Sequence, residues 1–281
     1  GEIVFDRKFF KLKGKGANDI GEQIFFTDIK EYKVNKDFFI FSTFNNTKYL
    51  LSKFGSSFDD FLRDFFKLRN EFFAENLFMK LGMLTGQFEC TVEISHQFGN
   101  YINKGYCMMQ VYEESILFLP EMSDCFVVYL NFMKMHEFDE EEYVFNIELE
   151  SGGKVRVSRL GSSFEQAKKT VEGSLERMYQ QVLNQLKQVL PDFSVQVLLK
   201  LAYQIRAGKA VSIKTLKKID ISLMPKILEL AFSGNEILEQ KIQFLRSLDK
   251  DEELFLGLSF ENGEKEWDVK VKAWFLCALP N

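Results

Sequence analysis

Over the first fifty or so residues, apolar and polar positions alternate or fall in short apolar blocks, the signature of strands. Ile3–Phe5, Lys8–Lys13, Gln23–Val34, Asp37–Phe44 and Lys48–Phe54 are rich in Phe, Ile, Tyr and Val. Turn-forming stretches separate them: Gly14–Asp19, Asn35–Lys36 and Asn45–Thr47. The period then changes. Phe58, Phe61, Leu62, Phe65, Phe66, Phe72 and Phe73 recur at helical spacing and predict an amphipathic helix over residues 57–80. Ser57 with Asp60, or Ser56 with Asp59, supplies an N-cap and a first-turn acid.

The same succession returns at greater length. Strands are expected at Phe88–Ser95, Tyr106–Glu113, Ser115–Leu119, Cys125–Phe138, Glu142–Glu150 and Lys154–Leu160. Ser151-Gly152-Gly153 makes a hairpin turn where the first pass has Asn45-Asn46-Thr47. The helix that follows carries Phe164, Ala167, Val171, Leu175, Met178, Val182, Leu186 and Val189. Ser163 with Gln166 matches a capping box, and Pro191 ends the helix. Beyond it, helices over 193–206, 212–218, 222–232 and 235–247 precede a hairpin formed by Glu253–Phe260 and Val269–Ala278.

The two passes are an internal repeat. Lys48-Tyr-Leu-Leu-Ser-Lys-Phe-Gly-Ser-Ser-Phe58 returns 106 residues later as Lys154-Val-Arg-Val-Ser-Arg-Leu-Gly-Ser-Ser-Phe164, identical at six of eleven positions. A duplicated strand–turn–helix unit sets architecture rather than chemistry. Alternation places Tyr49 and Leu51, like Val155 and Val157, on the core face, with Leu50 and Arg156 opposite. Arg156 belongs in water. Leu50, with the unbroken apolar run Phe38–Phe41, predicts that the outer face of the first sheet is covered. The cover is either the rest of the chain or a dimer or partner surface, and Leu50 is the candidate interface residue.

A chain of 281 residues has room for two or three domains, expected here at 1–80, 81–190 and 191–281. Its 31 Phe against 4 Pro indicate that Phe fills positions where Leu or Val often sits. A net charge of −5 supplies no global field toward DNA or anionic lipid. No apolar run approaches the length of a membrane span, and no signal-peptide pattern is visible. Cys90, Cys107, Cys125 and Cys277 lack close spacing, which reads as four buried thiols of a reducing compartment and gives a cytoplasmic expectation.

Several strands ending in one long amphipathic helix, once per repeat, resemble the pleckstrin-homology-like fold. In that fold a bent antiparallel sheet forms an open barrel and the helix plugs one end. The pattern Lys-x-x-x-Ser-Lys/Arg-Phe/Leu-Gly-Ser-Ser-Phe-Asp/Glu also looks like a group of uncharacterised prokaryotic proteins with tandem domains of this kind. The resemblance spans roughly residues 1–190. It implies an α+β protein of two tandem pleckstrin-homology-like antiparallel barrels, each ending in a long helix, plus a helical segment with a terminal hairpin. It also implies binding rather than catalysis. Such domains contact phosphoinositides, peptides or other proteins, and paired copies in some eukaryotic chaperones bind histones. Fold analogy alone assigns no function.

Lipid-binding members of that fold hold phosphates with basic residues on the first two strands and their loop. The matching residues here are Arg7, Lys8, Lys11, Lys13 and Lys15, with Lys11 and Lys13 on one side of a strand. Gly14, Gly16 and Gly21 do not form a nucleotide loop, because a strand rather than a helix follows them. Gly55-Ser56-Ser57 and Gly161-Ser162-Ser163 lack the G-x-S-x-G frame of a nucleophile elbow, and the only histidines are His96 and His136. Neither the acids at 139–142 with His136 nor those at 249–253 match a calcium loop. Exposed basic and aromatic residues are not interleaved as nucleic-acid binding requires; Arg156, Arg159, Lys168 and Lys169 are balanced by Glu165 and Glu172. The sequence therefore predicts a non-enzymatic interaction module or scaffold with a protein partner and no cofactor, metal or nucleic acid. Homo-oligomerisation is compatible with it. The alternative is peripheral binding to anionic lipid headgroups through the basic first strands.

Overall fold

The computed structural model of the chain describes residues 1–14, 21–76, 82–95, 101–206, 209–232, 254–262 and 269–277. The first repeat comprises β1 (Glu2–Phe5), β2 (Phe9–Lys13), β3 (Glu22–Phe25), β4 (Ile29–Asn35), β5 (Phe38–Thr43), β6 (Lys48–Ser52) and α1 (Phe58–Asn76). The second comprises β7 (Leu84–Ser95), β8 (Tyr101–Tyr112), β9 (Ser115–Pro120), β10 (Phe126–Tyr129), β11 (Met133–Asp139), β12 (Val144–Leu149), β13 (Lys154–Ser158) and α2 (Phe164–Val189). The remainder is α3 (Val195–Ile205), β14 (Val211–Ser212), α4 (Ile213–Ile219), α5 (Leu223–Phe232), β15 (Leu254–Asn262) and β16 (Val269–Cys277). Lys15, His96, the expected helix over 235–247 and the acids at 249–253 lie outside the described residues.

The fold is mixed α+β, and its sheets are open rather than closed barrels. In the second repeat one antiparallel sheet runs β10-β9-β8-β7-β13-β12-β11, so that β10 and β11 are its edges. In the first repeat the strands form two separate three-stranded sheets, β1-β2-β3 and β4-β5-β6. Long β7 makes the difference, since it pairs with β8 along its length and with β13 through Thr91–Ser95.

Two expected strands are broken in two. Over 23–34 and over 125–138 a 3₁₀ turn intervenes, Phe26–Asp28 and Leu130–Phe132 respectively. Alternation cannot register such a turn, because it contains no Gly or Pro. Its driving force is burial: Phe26 and Leu130 are both 0% exposed.

The ladders extend the repeat well beyond the eleven-residue motif. Every residue of β1, β2, β5 and β6 matches one 106 positions later, and every residue of β3 and β4 one 104 positions later. Core positions follow: Phe10 with Ile116, Ile24 with Val128, Phe39 with Phe145, and Phe58 with Phe164 are all buried. The hairpin turns correspond as well, with Asn46 at φ 65° and Gly152 at φ 82°. Both are positive-φ positions that Asn and Gly tolerate best.

The Gly-Ser-Ser triplets are 3₁₀ turns that lead into α1 and α2. Contrary to the sequence expectation, the serines lie inside these turns and the N-cap positions are Phe54 and Leu160, which make no side-chain cap bond; backbone bonds close the turns, from Ser57 N to Phe54 O (3.3 Å) and from Ser163 N to Leu160 O (3.0 Å). The repeated residues are explained by backbone shape instead. Lys53 and Gly55, like Arg159 and Gly161, all take positive φ (67°, 60°, 59° and 55°). A Cβ at either glycine would meet nothing within 4 Å, so φ alone selects Gly there.

The first repeat's core is aromatic. Phe65 of α1 lies 4.8 Å from Phe39, 5.7 Å from Phe10 and 5.8 Å from Phe26, ring centre to ring centre. Such pairs add about 0.5–1.5 kcal/mol each beyond area burial. The chain divides into two compact units, residues 1–129 with 133–170, and residues 130–132 with 171–281, the boundary falling inside α2. The second unit has its own core, including Leu186, Leu198, Leu201, Leu216, Ile227 and Leu256. In it Ser194 and Ser212 cap α3 and α4, accepting from Val197 N and Thr215 N. No helix among the described residues is long and apolar enough to cross a membrane.

Candidate functional site

The basic residues singled out from sequence converge on the outer face of β1-β2-β3. Register puts Glu2 and Val4 beside Lys13 and Lys11, Lys11 beside Gln23, and Phe9 beside Phe25. The inner face takes Ile3, Phe5, Phe10, Leu12 and Ile24. Arg7 and Lys8 sit exposed in the β1–β2 turn, which is closed by Asp6 N to Phe9 O (2.8 Å) and Lys8 N to Asp6 Oδ1 (3.3 Å). Of the five basic candidates, the structure thus places Arg7, Lys8, Lys11 and Lys13 on one face and its rim.

Sequence reasoning missed the apolar half of this face. Phe25 is 42% exposed and Val4 37%. Phe9 meets Phe25 edge-on at 5.6 Å, and Lys11 Nζ lies 5.6 Å from the Phe9 ring centre. Two-residue periodicity already puts Phe9 with Lys11 and Lys13; only the β2–β3 register brings Phe25 to them. Lys13 reaches Glu2 at 3.8 Å across an exposed surface, a pairing worth little in water. The face therefore offers cations beside exposed aromatic and aliphatic surface.

Leu50 is 62% exposed on the outer face of β4-β5-β6, beside Ile40 in the ladder. The expectation that the rest of the chain covers this residue is corrected: Leu50 stands in solvent. A shallow groove of about 390 Å³ crosses the same face, lined by Glu31, Lys33, Ile40, Ser42 and Lys48. The matching face of the second repeat carries one of about 320 Å³ with Glu93, Glu137, Asn146, Glu148, Lys154 and Arg156.

Groups that might have suggested catalysis or metal binding have structural partners. Asp139 Oδ1 accepts from the backbone N–H of Glu141 (3.0 Å) and Glu142 (2.9 Å). Glu140 pairs with Lys168, and Glu142 with Arg156 at 2.8 Å. Among the described residues no three of His, Cys, Asp and Glu are placed to hold a metal ion. His136 is exposed on β11. Cys90 and Cys107 face each other across β7 and β8 as free, buried thiols, with Cys90 Sγ donating to Cys107 O at 3.4 Å. Cys125 is only half-buried, a correction to the expectation of four buried thiols; the Cys277 side chain lies outside the described set.

The most elaborate polar cluster lies between the repeats. Arg69 of α1, 6% exposed, donates through Nε to Asp124 Oδ1 and through Nη1 to Phe26 O, both at 2.6 Å. Its guanidinium also stands 4.4 Å from the Phe73 ring centre. Asn70 donates to the carbonyls of Pro120 and Ser123 (2.9 Å each) and accepts from Cys125 N (2.8 Å). The Tyr32 hydroxyl accepts from Asp124 N at 3.3 Å. This cluster clamps α1 to the β9–β10 connection.

Burial and the Asp124 carboxylate push the Tyr32 phenol up to about 12. The hydrogen bond to Glu22 does the same for Tyr49, again to about 12. The Cys107 thiol is raised by its bond with Cys90 and by burial, and burial raises Cys125 to about 12. All four move away from neutrality, opposite to what a general base or nucleophile needs. No protein-family model matches the chain, and a search of curated proteins returns no significant match.

Proposed function

We propose that the chain is a non-enzymatic interaction module built on two tandem pleckstrin-homology-like domains, with the outer face of β1-β2-β3 as a binding surface. The strand order β10-β9-β8-β7-β13-β12-β11 followed by α2 supports the fold reading, since a long first strand shared by two sheet halves and a closing helix are what that fold requires. The observation that carries the function is the outer face itself, where Arg7, Lys8, Lys11 and Lys13 stand beside exposed Phe25 and Val4. A protein with an acidic, partly apolar surface fits it by charge complementarity and aromatic burial. The free thiols suit a reducing, cytoplasmic compartment.

A second reading is favoured by the same pairing of cations with aromatics: peripheral attachment to anionic membranes, where lysines meet headgroups and Phe9 and Phe25 enter the interface. Co-sedimentation with anionic and neutral vesicles at low and high salt separates the two readings. Salt-sensitive binding to anionic vesicles, lost in Lys11→Ala/Lys13→Ala and weakened in Phe25→Ala, establishes the membrane reading. Absence of vesicle binding leaves protein partners. Substrate turnover by the purified chain that disappears on His136→Ala, Ser56→Ala or Ser162→Ala overturns the non-enzymatic reading altogether.

A further inference from the structure

The ladders fix the outer face of β4-β5-β6 as a grid of rows. Glu31, Ser42 and Lys48 stand side by side in one row, and Lys33, Ile40 and Leu50 in the next. Asn35, Phe38 and Ser52 make the third. Alternation turns the residues between them, such as Phe39, Phe41 and Tyr49, into the aromatic core. Leu50 is 62% exposed, while Ile40 and Phe38 are half-buried. The charged row has its acid on β4 and its cation on β6. Among the described residues no ion pair engages Glu31, Lys33 or Lys48; Glu31 only accepts from Ser42 Oγ at 3.0 Å.

The second repeat shows that the fold itself does not require this pattern. Its matching middle row is Glu137, Asn146 and Arg156, polar throughout. Its charges find partners within the chain, Arg156 with Glu142 at 2.8 Å and Glu148 with Lys134 at 2.6 Å. The first repeat instead places apolar side chains at the centre and opposite charges, unmatched, on the two flanking strands.

We infer that this face docks on the same face of a second copy of the chain, about a two-fold axis lying along β5. Such an axis sets β4 of each copy over β6 of the other and keeps every row in line with itself. Glu31 then meets the partner's Lys48, and Lys48 the partner's Glu31, so that two ion pairs close together. Ile40 packs on the partner's Ile40, and Leu50 on the alkyl stem of the partner's Lys33. The same operation brings the partner's Leu50 over the β4–β5 side, where the groove of about 390 Å³ lies among Glu31, Lys33, Ile40 and Ser42. Sheets stacked in this way stand about 10 Å apart, a gap that the side chains of both fill.

Charge selects this axis over the alternatives. A two-fold axis across the strands puts Glu31 on the partner's Asn35 and leaves Lys48 on the partner's Ser52. An axis along β12 in the second repeat puts Glu148 against the partner's Glu148, with no apolar centre to offset it. Three strands of five to seven residues present a face on the order of 300 Å², below the roughly 800 Å² per partner of a standard interface. The dimer is accordingly weak and reversible. It goes beyond the binding surface on β1-β2-β3 and does not rest on it.

The test is sedimentation equilibrium of the 281-residue chain from micromolar to millimolar concentration, at low and high salt. A reversible monomer–dimer equilibrium, stronger at low salt, is expected. Glu31→Lys sets lysine against the partner's Lys48, and Lys48→Glu sets glutamate against the partner's Glu31. Each is expected to weaken self-association at least about tenfold. An equimolar mixture of the two variants is expected to recover it as a heterodimer, because opposite charges then face each other at both places. Recovery also shows that both variants are folded. Leu50→Lys, placed against the partner's Lys33, is expected to abolish the dimer, whereas Leu50→Glu keeps it. Lys11→Ala/Lys13→Ala is expected to leave it unchanged. A chain that stays monomeric at millimolar concentration overturns the inference. So do charge variants that associate like the parent, or a mixture that fails to recover association although thermal melts show both variants folded. Loss of association in Lys11→Ala/Lys13→Ala overturns it as well, by moving the contact to the basic face.

Discussion

Arg69 and Asn70 are adjacent on α1, yet each reaches the second repeat by a different chemistry. Arg69 brings a charge that is solvated neither by water nor by its own helix, so Asp124 and the Phe26 carbonyl are obligatory partners. We expect Arg69→Ala to cost about 3 kcal/mol, the low end for a buried pair because Asp124 keeps partial hydration; urea unfolding measures it. Arg69→Lys is expected to recover little, since an ammonium cannot span both acceptors. Tyr32 adds a pH dependence. Its phenol ionises near 10 in the unfolded chain and near 12 in the folded one, so the unfolded chain releases its proton first. Stability is therefore full below pH 10 and falls as pH rises from 10 toward 12. Unfolding midpoints across that window should fall less steeply in Tyr32→Phe. None of this clamp was legible in the sequence: it joins residues 43 to 92 positions apart, and only the tertiary fold brings them together.

At the scale of elements, a backbone shape is what the repeat preserves. The pair of positive-φ residues before each long helix turns the chain out of its last strand and into a 3₁₀ turn; Lys53 and Arg159 bear the strain of that φ with a side chain, and glycine relieves it at the second position. Gly55→Ala and Gly161→Ala should each lower stability by about 1 kcal/mol although no atom stands in the way. Ser57→Ala and Ser163→Ala should be nearly neutral, since neither turn has a side-chain cap. Thermal melts of the four variants check both statements. A large loss in the serine variants would restore the capping role that the sequence suggested. Both long helices were legible from their apolar stripes, and so were the hairpin turns. The breaks at Phe26 and Leu130 were not, because apolar residues inside a 3₁₀ turn look the same as apolar residues along a strand.

For the molecule as a whole, two compact units with distinct cores imply two groups of stabilising contacts. Phe65→Ala removes the ring at the centre of the first and should cost about 3–5 kcal/mol; Leu216→Ala, fully buried in the second, should cost about 2–5 kcal/mol. Calorimetry of the two variants should move different parts of the unfolding profile. A single transition shifted alike by both would show that the units unfold as one.

Periodicity, turn residues and one repeated motif determined the mixed α+β class, the duplication and the place of each long helix, because those signals are local and depend only on which way neighbouring side chains point. Alternation alone also set Lys11 and Lys13 on one face. Tertiary structure decided which strands are neighbours, that β7 joins the second repeat's strands in one sheet while those of the first form two sheets over a shared core, and that Phe25 joins Lys11 on one surface while Leu50 stands uncovered. Register between strands is a property of distant pairs of residues, and each of those outcomes depends on it.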